Sequence, residues 1–93
     1  MRRVENLGPY KRDLKRELRG QHRKTLAESL PSIIFTLAND FPLEPRYHDH
    51  ALIGNWKGSR DCHIKPDLIL IYRKPDPESL HLVRLGSHSE LGL

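Results

Sequence analysis

The chain has 93 residues, with 16 Lys and Arg against 12 Asp and Glu, six His and one Cys. A chain this short buries only about 60 to 65% of the surface it exposes when unfolded, which allows one small domain spanning residues 1–93. No stretch approaches the roughly 20 apolar residues of a membrane span, no apolar run follows the charged N-terminus as in a signal peptide, and a lone Cys62 forbids an intramolecular disulfide, so the cytoplasm is expected.

The sequence pI near 9.5 favours a polyanion or an acidic protein as partner without choosing between them. The excess sits at the N-terminal end, where Arg2, Arg3, Lys11, Arg12, Lys15, Arg16, Arg19, Arg23 and Lys24 face only Glu5, Asp13 and Glu17. Within it, Arg2 to Leu7 is a candidate first strand. From Pro9, Tyr10, Leu14 and Leu18 recur at i, i+4, i+8, the stripe of an amphipathic helix ended by Gly20. A second helical pattern, Leu26, Leu30, Ile33, Ile34 and Leu37, runs to about Asn39, and Pro31 inside it is expected to kink the helix or restart it. The two helices are expected to form an antiparallel hairpin. Asp40 to Ile53 holds Pro42 and Pro45 without a sustained period, so it reads as an ordered connection anchored by Leu43 and Leu52.

Strand signals follow. Asn55 to His63 alternates around Trp56, Leu68 to Tyr72 is a continuous apolar run suited to a buried strand, and Leu80 to Leu85 alternates as Leu80, Leu82, then Val83, Leu85. Asp76 and Pro77 mark the turn between the last two, and the tail GSHSELGL reads as too short for an element. The expected fold is α+β, two N-terminal helices packed on one face of a small, twisted, mainly antiparallel sheet whose other face is free for a site.

Four of the six histidines, His48, His50, His63 and His88, fall at strand ends or in loops. Imidazole exchanges protons near neutrality, so two of them beside one phosphodiester supply a base for a 2'-hydroxyl and an acid for the leaving 5'-oxygen. Asp61 and Asp67 can orient those rings, while Lys57, Arg60, Arg73 and Arg84 are candidates to hold phosphates. Such chemistry requires no metal or other cofactor. Blander readings stand beside it: a single histidine is more often a surface residue, Asp61 and Asp67 suit turns, and the basic helix suits a solvated face. His48, His50, Cys62 and His63 include zinc-type ligands, but their spacing is not that of a structural zinc site, and neighbours on a strand point to opposite faces.

The segment YHDHALIGNWKGSRDCHIKPDLILIY followed by VRLGSHSEL resembles the YafQ branch of the RelE/ParE superfamily of bacterial toxins, without a gap from Tyr47 to Tyr72. The resemblance implies a RelE-like ribonuclease fold and a metal-independent endoribonuclease that cuts mRNA in the ribosomal A site. It also implies a cognate antitoxin that wraps the toxin, in a complex able to bind its own operator DNA through the antitoxin. His50, His63, Asp67 and His88 match the family's active-site positions and Asp61 a polar position beside them; Arg84, Lys57 and Arg60 match basic positions expected to face RNA, and His48 matches none. His50 or His63 is then expected as base and His88 as acid. Two departures, Leu68 and Gly92 at positions commonly aromatic, imply lost base stacking. The competing reading is a toxin of the same fold that acts by binding, as on DNA gyrase, or an inert one that binds only its antitoxin.

Overall fold

The computed structural model describes residues 1–93. Five strands form one sheet in the order β1-β5-β4-β3-β2, with β1 Arg3–Asn6, β2 His50–Ala51, β3 Arg60–Lys65, β4 Leu68–Arg73 and β5 Ser79–Gly86. The pairing is antiparallel except that β1 lies parallel to β5, Val4 beside Leu80. The expected first strand is therefore present, and it makes the sheet mixed.

The central strand, LILIYR, is apolar throughout because both its faces are covered. Leu68, Leu70 and Tyr72 join Cys62 and Ile64 of β3, Leu80, Leu82 and Leu85 of β5, and Tyr10, Leu26, Leu30, Ile33 and Leu37 in the main core. Ile69 and Ile71 point the other way, into a smaller cluster with Leu52, Trp56, Val83 and Leu91. A bulge explains the broken alternation of β5: Ile71 pairs with Arg84 but Tyr72 with Leu82, so Val83 is the extra residue and the phase reverses beyond it.

Helices α1, Gly8–Glu17, and α2, Arg23–Ala38, cover the main-core face. Pro31 lies inside α2, which runs on through it, so the helix does not restart there. The lost backbone bond costs about 3 kcal/mol, but Leu26 and Leu30 before Pro31 and Ile33 and Leu37 after it are all buried, so burial holds the helix through it. The connection from Asp40 to Ile53 contains a 3-10 turn at Pro45–Tyr47 and the two-residue strand β2, with Leu43 and Leu52 partly buried as anchors.

Two expectations fail. Asn55 to His63 is not one strand: Gly54–Trp56 is a 3-10 turn in which Gly54 has a φ of 68°, and β3 begins only at Arg60. The tail is not featureless either, since His88–Leu91 forms a one-turn helix, α3. Ser87 and Glu90 close a reciprocal capping box, and Gly92, with a φ of 70°, ends it in the left-handed conformation that glycine adopts freely.

Candidate active site

Strand alternation decides which groups of β3 reach the open face. Asp61 and His63 project to it, whereas Cys62 and Ile64 enter the main core on the other side. Cys62 is therefore no ligand partner for the histidines, and burial raises its thiol pKa well above the ordinary value. Across the short β2–β3 pairing His50 sits opposite Asp61, with His50 Nδ1 3.0 Å from Asp61 Oδ1.

His50 Nδ1 lies still closer to the backbone carbonyl of His48, at 2.7 Å. The Nδ1 nitrogen has two acceptors within reach, and only the carbonyl meets it with hydrogen-bond geometry. The carbonyl accepts from it, and Asp61 Oδ1 remains buried without a hydrogen-bond partner. That geometry leaves His50 Nε2 as the free nitrogen. It depends on His48 holding a left-handed backbone, φ 48° and ψ 44°, uncommon outside glycine.

Asp61 is the buried member of the group, its side chain 3% exposed, with Oδ2 3.9 Å from His63 Nε2. Burial raises its pKa, opposed by the positive charge His50, His63 and His88 can carry. The His63 ring is central, its centroid 6.0 Å from those of His48 and His50 and 5.3 Å from that of His88.

His88 arrives from the other end of the chain as the first residue of α3. Asp67, in the turn between β3 and β4, accepts from the His88 backbone N–H at 2.9 Å and its Nδ1 at 2.6 Å. The backbone bond, then the ring bond, lower the Asp67 pKa. One carboxylate thus fixes both the start of α3 and the tilt of its imidazole, leaving His88 Nε2 free.

The expected site is therefore assembled in part. His50, Asp61, His63, Asp67 and His88 come together; the basic residues divide. Arg73 shares the open face with Ile69 and Ile71 by alternation, and Lys57 is exposed in the turn before β3. Arg60 turns away from the imidazoles, its Nε 3.3 Å from both Asp49 Oδ1 and the Tyr72 hydroxyl. Arg84 is engaged by α1, its Nε 2.6 Å from Asp13 Oδ2. Arg60 and Arg84, expected to face RNA, each have an acidic partner within the fold, with side chains 45% and 28% exposed.

The two departures from the family pattern also resolve differently. Leu68 is 0% exposed in the main core, so its position offers no ring to a base whatever residue fills it. Gly92 borders open space, and there a side chain is indeed missing. Trp56 is partly buried against the smaller cluster, its Nε1 donating to the Leu91 carbonyl at 3.1 Å. Sequence reasoning missed Arg46 and Tyr47 and set His48 aside; all three line a cleft of about 830 Å³ ending at His50 and His63. The capping box of α3 was readable as Ser87-x-x-Glu90. The ligand atoms of His50, Asp61 and His63 lie within 4.8 Å of one another, close enough to share a metal ion.

A family model described as the bacterial toxin YafQ of type II toxin-antitoxin systems matches residues 2–92. The chain is 38% identical over 88 residues to the mRNA interferase toxin YafQ of Escherichia coli, an alignment covering 95% of this chain and 92% of that one. It is 48% identical over 63 residues to a Haemophilus influenzae protein named for the same toxin, covering 64% of this chain and 62% of the other. Among solved structures, a metal-bound toxin from Helicobacter pylori superposes with a TM-score of 0.84 at 43% identity, covering 98% of this chain and 99% of that chain. YafQ in the Escherichia coli DinJ-YafQ complex superposes with a TM-score of 0.80 at 34% identity over 98% of both chains. With its helices on a mixed five-stranded sheet and its histidines gathered on the open face, the chain belongs to the YafQ family of type II toxin-antitoxin toxins.

Proposed function

We propose that the protein is an mRNA interferase that cleaves mRNA in the ribosomal A site by general acid-base chemistry. The observation that carries this reading is the pair of free imidazole nitrogens on either side of His63, each fixed by a bond at the opposite ring atom. His50, whose Nδ1 proton is held by the His48 carbonyl, takes the 2'-hydroxyl proton on Nε2. The 2'-oxygen attacks phosphorus and the P–O5' bond breaks, giving a 2',3'-cyclic phosphate. His88, as imidazolium, keeps its Nδ1 proton on Asp67 and gives its Nε2 proton to the departing 5'-oxygen. His63, 5.3 Å from His88, is placed to offset the charge building on the phosphoryl oxygens, and the buried Asp61 carboxylate, 3.0 Å from His50 and 3.9 Å from His63, balances the positive charge that His50 takes up with the proton. Asp67 acts as a positioning residue, Lys57 and Arg73 as phosphate contacts.

A DinJ-type antitoxin is the expected partner, with the complex binding operator DNA through it, and the toxin acts where ribosomes are, in the cytoplasm. No helix is long and apolar enough to cross a membrane. The test maps mRNA ends by primer extension with programmed ribosomes, naked mRNA and a His88→Ala control. Cuts that need ribosomes and vanish in the variant support the proposal. Wild-type cutting by His88→Ala overturns the assignment, and intact mRNA with folded protein turns the reading to inhibition by binding.

A second reading concerns the same atoms. His50, Asp61 and His63 can close on a transition-metal ion, as the metal-bound Helicobacter pylori relative suggests, and such an ion acts here as an inhibitor by tying up the imidazoles.

A further inference from the structure

His50 and His63 form a ridge between two clefts and are the only residues that line both. On one side lies the cleft of about 830 Å³ with Arg46, Tyr47, His48 and Lys65. On the other lies one of about 770 Å³ with Ile53, Asn55, Trp56 and Leu93, and His88 lines only this second cleft. Each is of a size that accepts a small organic ligand such as a nucleotide.

The two walls are chemically unlike. Arg46 lies over the Tyr47 ring, 4.7 Å from its centroid, and donates to its hydroxyl at 2.8 Å. A flat cationic-aromatic pair of this kind stacks on any base, and Lys65 adds charge for a phosphate. The second cleft is apolar at its mouth: Ile53 is 89% exposed and Leu93 41%. Leu93 is carried there by the end of α3, where Gly92 reverses the chain and the Leu93 N–H returns to the His88 carbonyl at 2.9 Å. The exposed Asn55 contributes the carboxamide, with donors and an acceptor matched to a base edge.

We infer that the two clefts hold the nucleotides flanking the scissile phosphodiester, and that the position of His88 fixes the direction of the strand. This rests on the ribonuclease reading above. The acid must reach the 5'-oxygen of the nucleotide on the 3' side of the cut, so that nucleotide occupies the cleft of Ile53, Asn55 and Leu93. The nucleotide whose 2'-hydroxyl attacks lies on the other side of the ridge, its base against Arg46 and Tyr47. Asn55 is then the residue that reads the base after the cut.

The experiment compares wild-type, Arg46→Ala and Asn55→Ala proteins on ribosomes programmed with a library randomised over the A-site codon and its neighbours, sequencing both sides of every cut. Asn55→Ala is expected to flatten base preference on the 3' side by roughly three- to tenfold, the range for one lost hydrogen bond, and leave the 5' side unchanged; Arg46→Ala, which removes a stacking wall indifferent to base identity, lowers cutting at every site and leaves the 3' preference unchanged. In parallel, with the attacking nucleotide made 2'-deoxy to block cleavage, 4-thiouridine immediately 3' of it should crosslink to the 53–56 turn or Leu93, and 4-thio-2'-deoxyuridine at the blocked position itself to Tyr47. Crosslinks or preference changes with the sides exchanged overturn the polarity. Unaltered preference in Asn55→Ala together with undiminished cutting by Arg46→Ala overturns the clefts as base sites while leaving the nuclease reading intact, whereas a folded wild-type protein that cuts nothing removes both.

Discussion

Replacing Asp13 tests whether the link between α1 and the end of β5 holds the fold together. The residue is 4% exposed. Its Oδ2 accepts from the Leu85 backbone N–H at 3.0 Å and from Arg84 Nε at 2.6 Å, and Oδ1 from Arg16 Nη1 at 3.2 Å. Asp13→Ala strands the Leu85 amide, at about 1 to 3 kcal/mol. The Arg84 and Arg16 side chains are 28% and 43% exposed, so solvent screens the ionic part to about 1 kcal/mol. The expected loss is about 2 to 4 kcal/mol, or about 4 to 8 °C in Tm for each kcal/mol. Burial pushes the Asp13 pKa up, but the Arg84 hydrogen bond, the Leu85 N–H and the charges of Arg84 and Arg16 together bring it below the usual value. A carboxylate so lowered stabilises the fold fully above its unfolded pKa and loses that contribution as pH falls through the folded one. The gap between wild type and variant should thus be constant from about pH 5 to 8 and close only below the ordinary carboxylate range. Urea unfolding followed by circular dichroism, on Asp13→Ala, Arg84→Met and the double variant, measures both magnitude and coupling. A loss under about 1 kcal/mol, or strict additivity of the two changes, refutes the reasoning.

Two further outcomes follow from the site. Asp61→Asn should leave stability at pH 8 unchanged or up to about 1 kcal/mol higher, because a buried charge lacking a hydrogen bond at one oxygen is removed, while cleavage falls at least about tenfold. Since burial raises the Asp61 pKa, wild-type stability gains on the variant as pH falls through that value; thermal melts across pH show it, and a variant clearly less stable at pH 8 contradicts the account. Copper or zinc ions should block cleavage reversibly, with chelator restoring it, and titration calorimetry on His50→Gln should show the affinity lost; unchanged affinity places the ion elsewhere.

Hydrophobic period and turn residues made both helices, the buried strand Leu68 to Tyr72 and the last strand readable, because each repeats over several residues. What escaped was set by partners distant in sequence. Arg60 and Arg84 look alike as basic residues on strands, and only Asp49 and Asp13 show that both are engaged. The imidazole cluster was foreseen as residues but not as geometry, since the His48 carbonyl that orients His50 depends on a left-handed backbone that histidine adopts in only a small minority of its positions. Leu68 shows the opposite error, an absent ring counted as lost stacking at a position that faces the core.

The arrangement of β5 has a consequence for synthesis. This strand joins β1 to the rest of the sheet, pairing residues 3–6 with residues 79–82, and the chain just beyond it carries His88 to Asp67. Contacts so distant along the chain form late, only after the ribosome has made β5. A nascent chain arrested before Ser79 has no partner for β1, and one arrested before His88 has no proposed acid. Copies that end before His88 therefore lack the complete site, and the ribosome that builds this toxin must pass His88 before the site can exist.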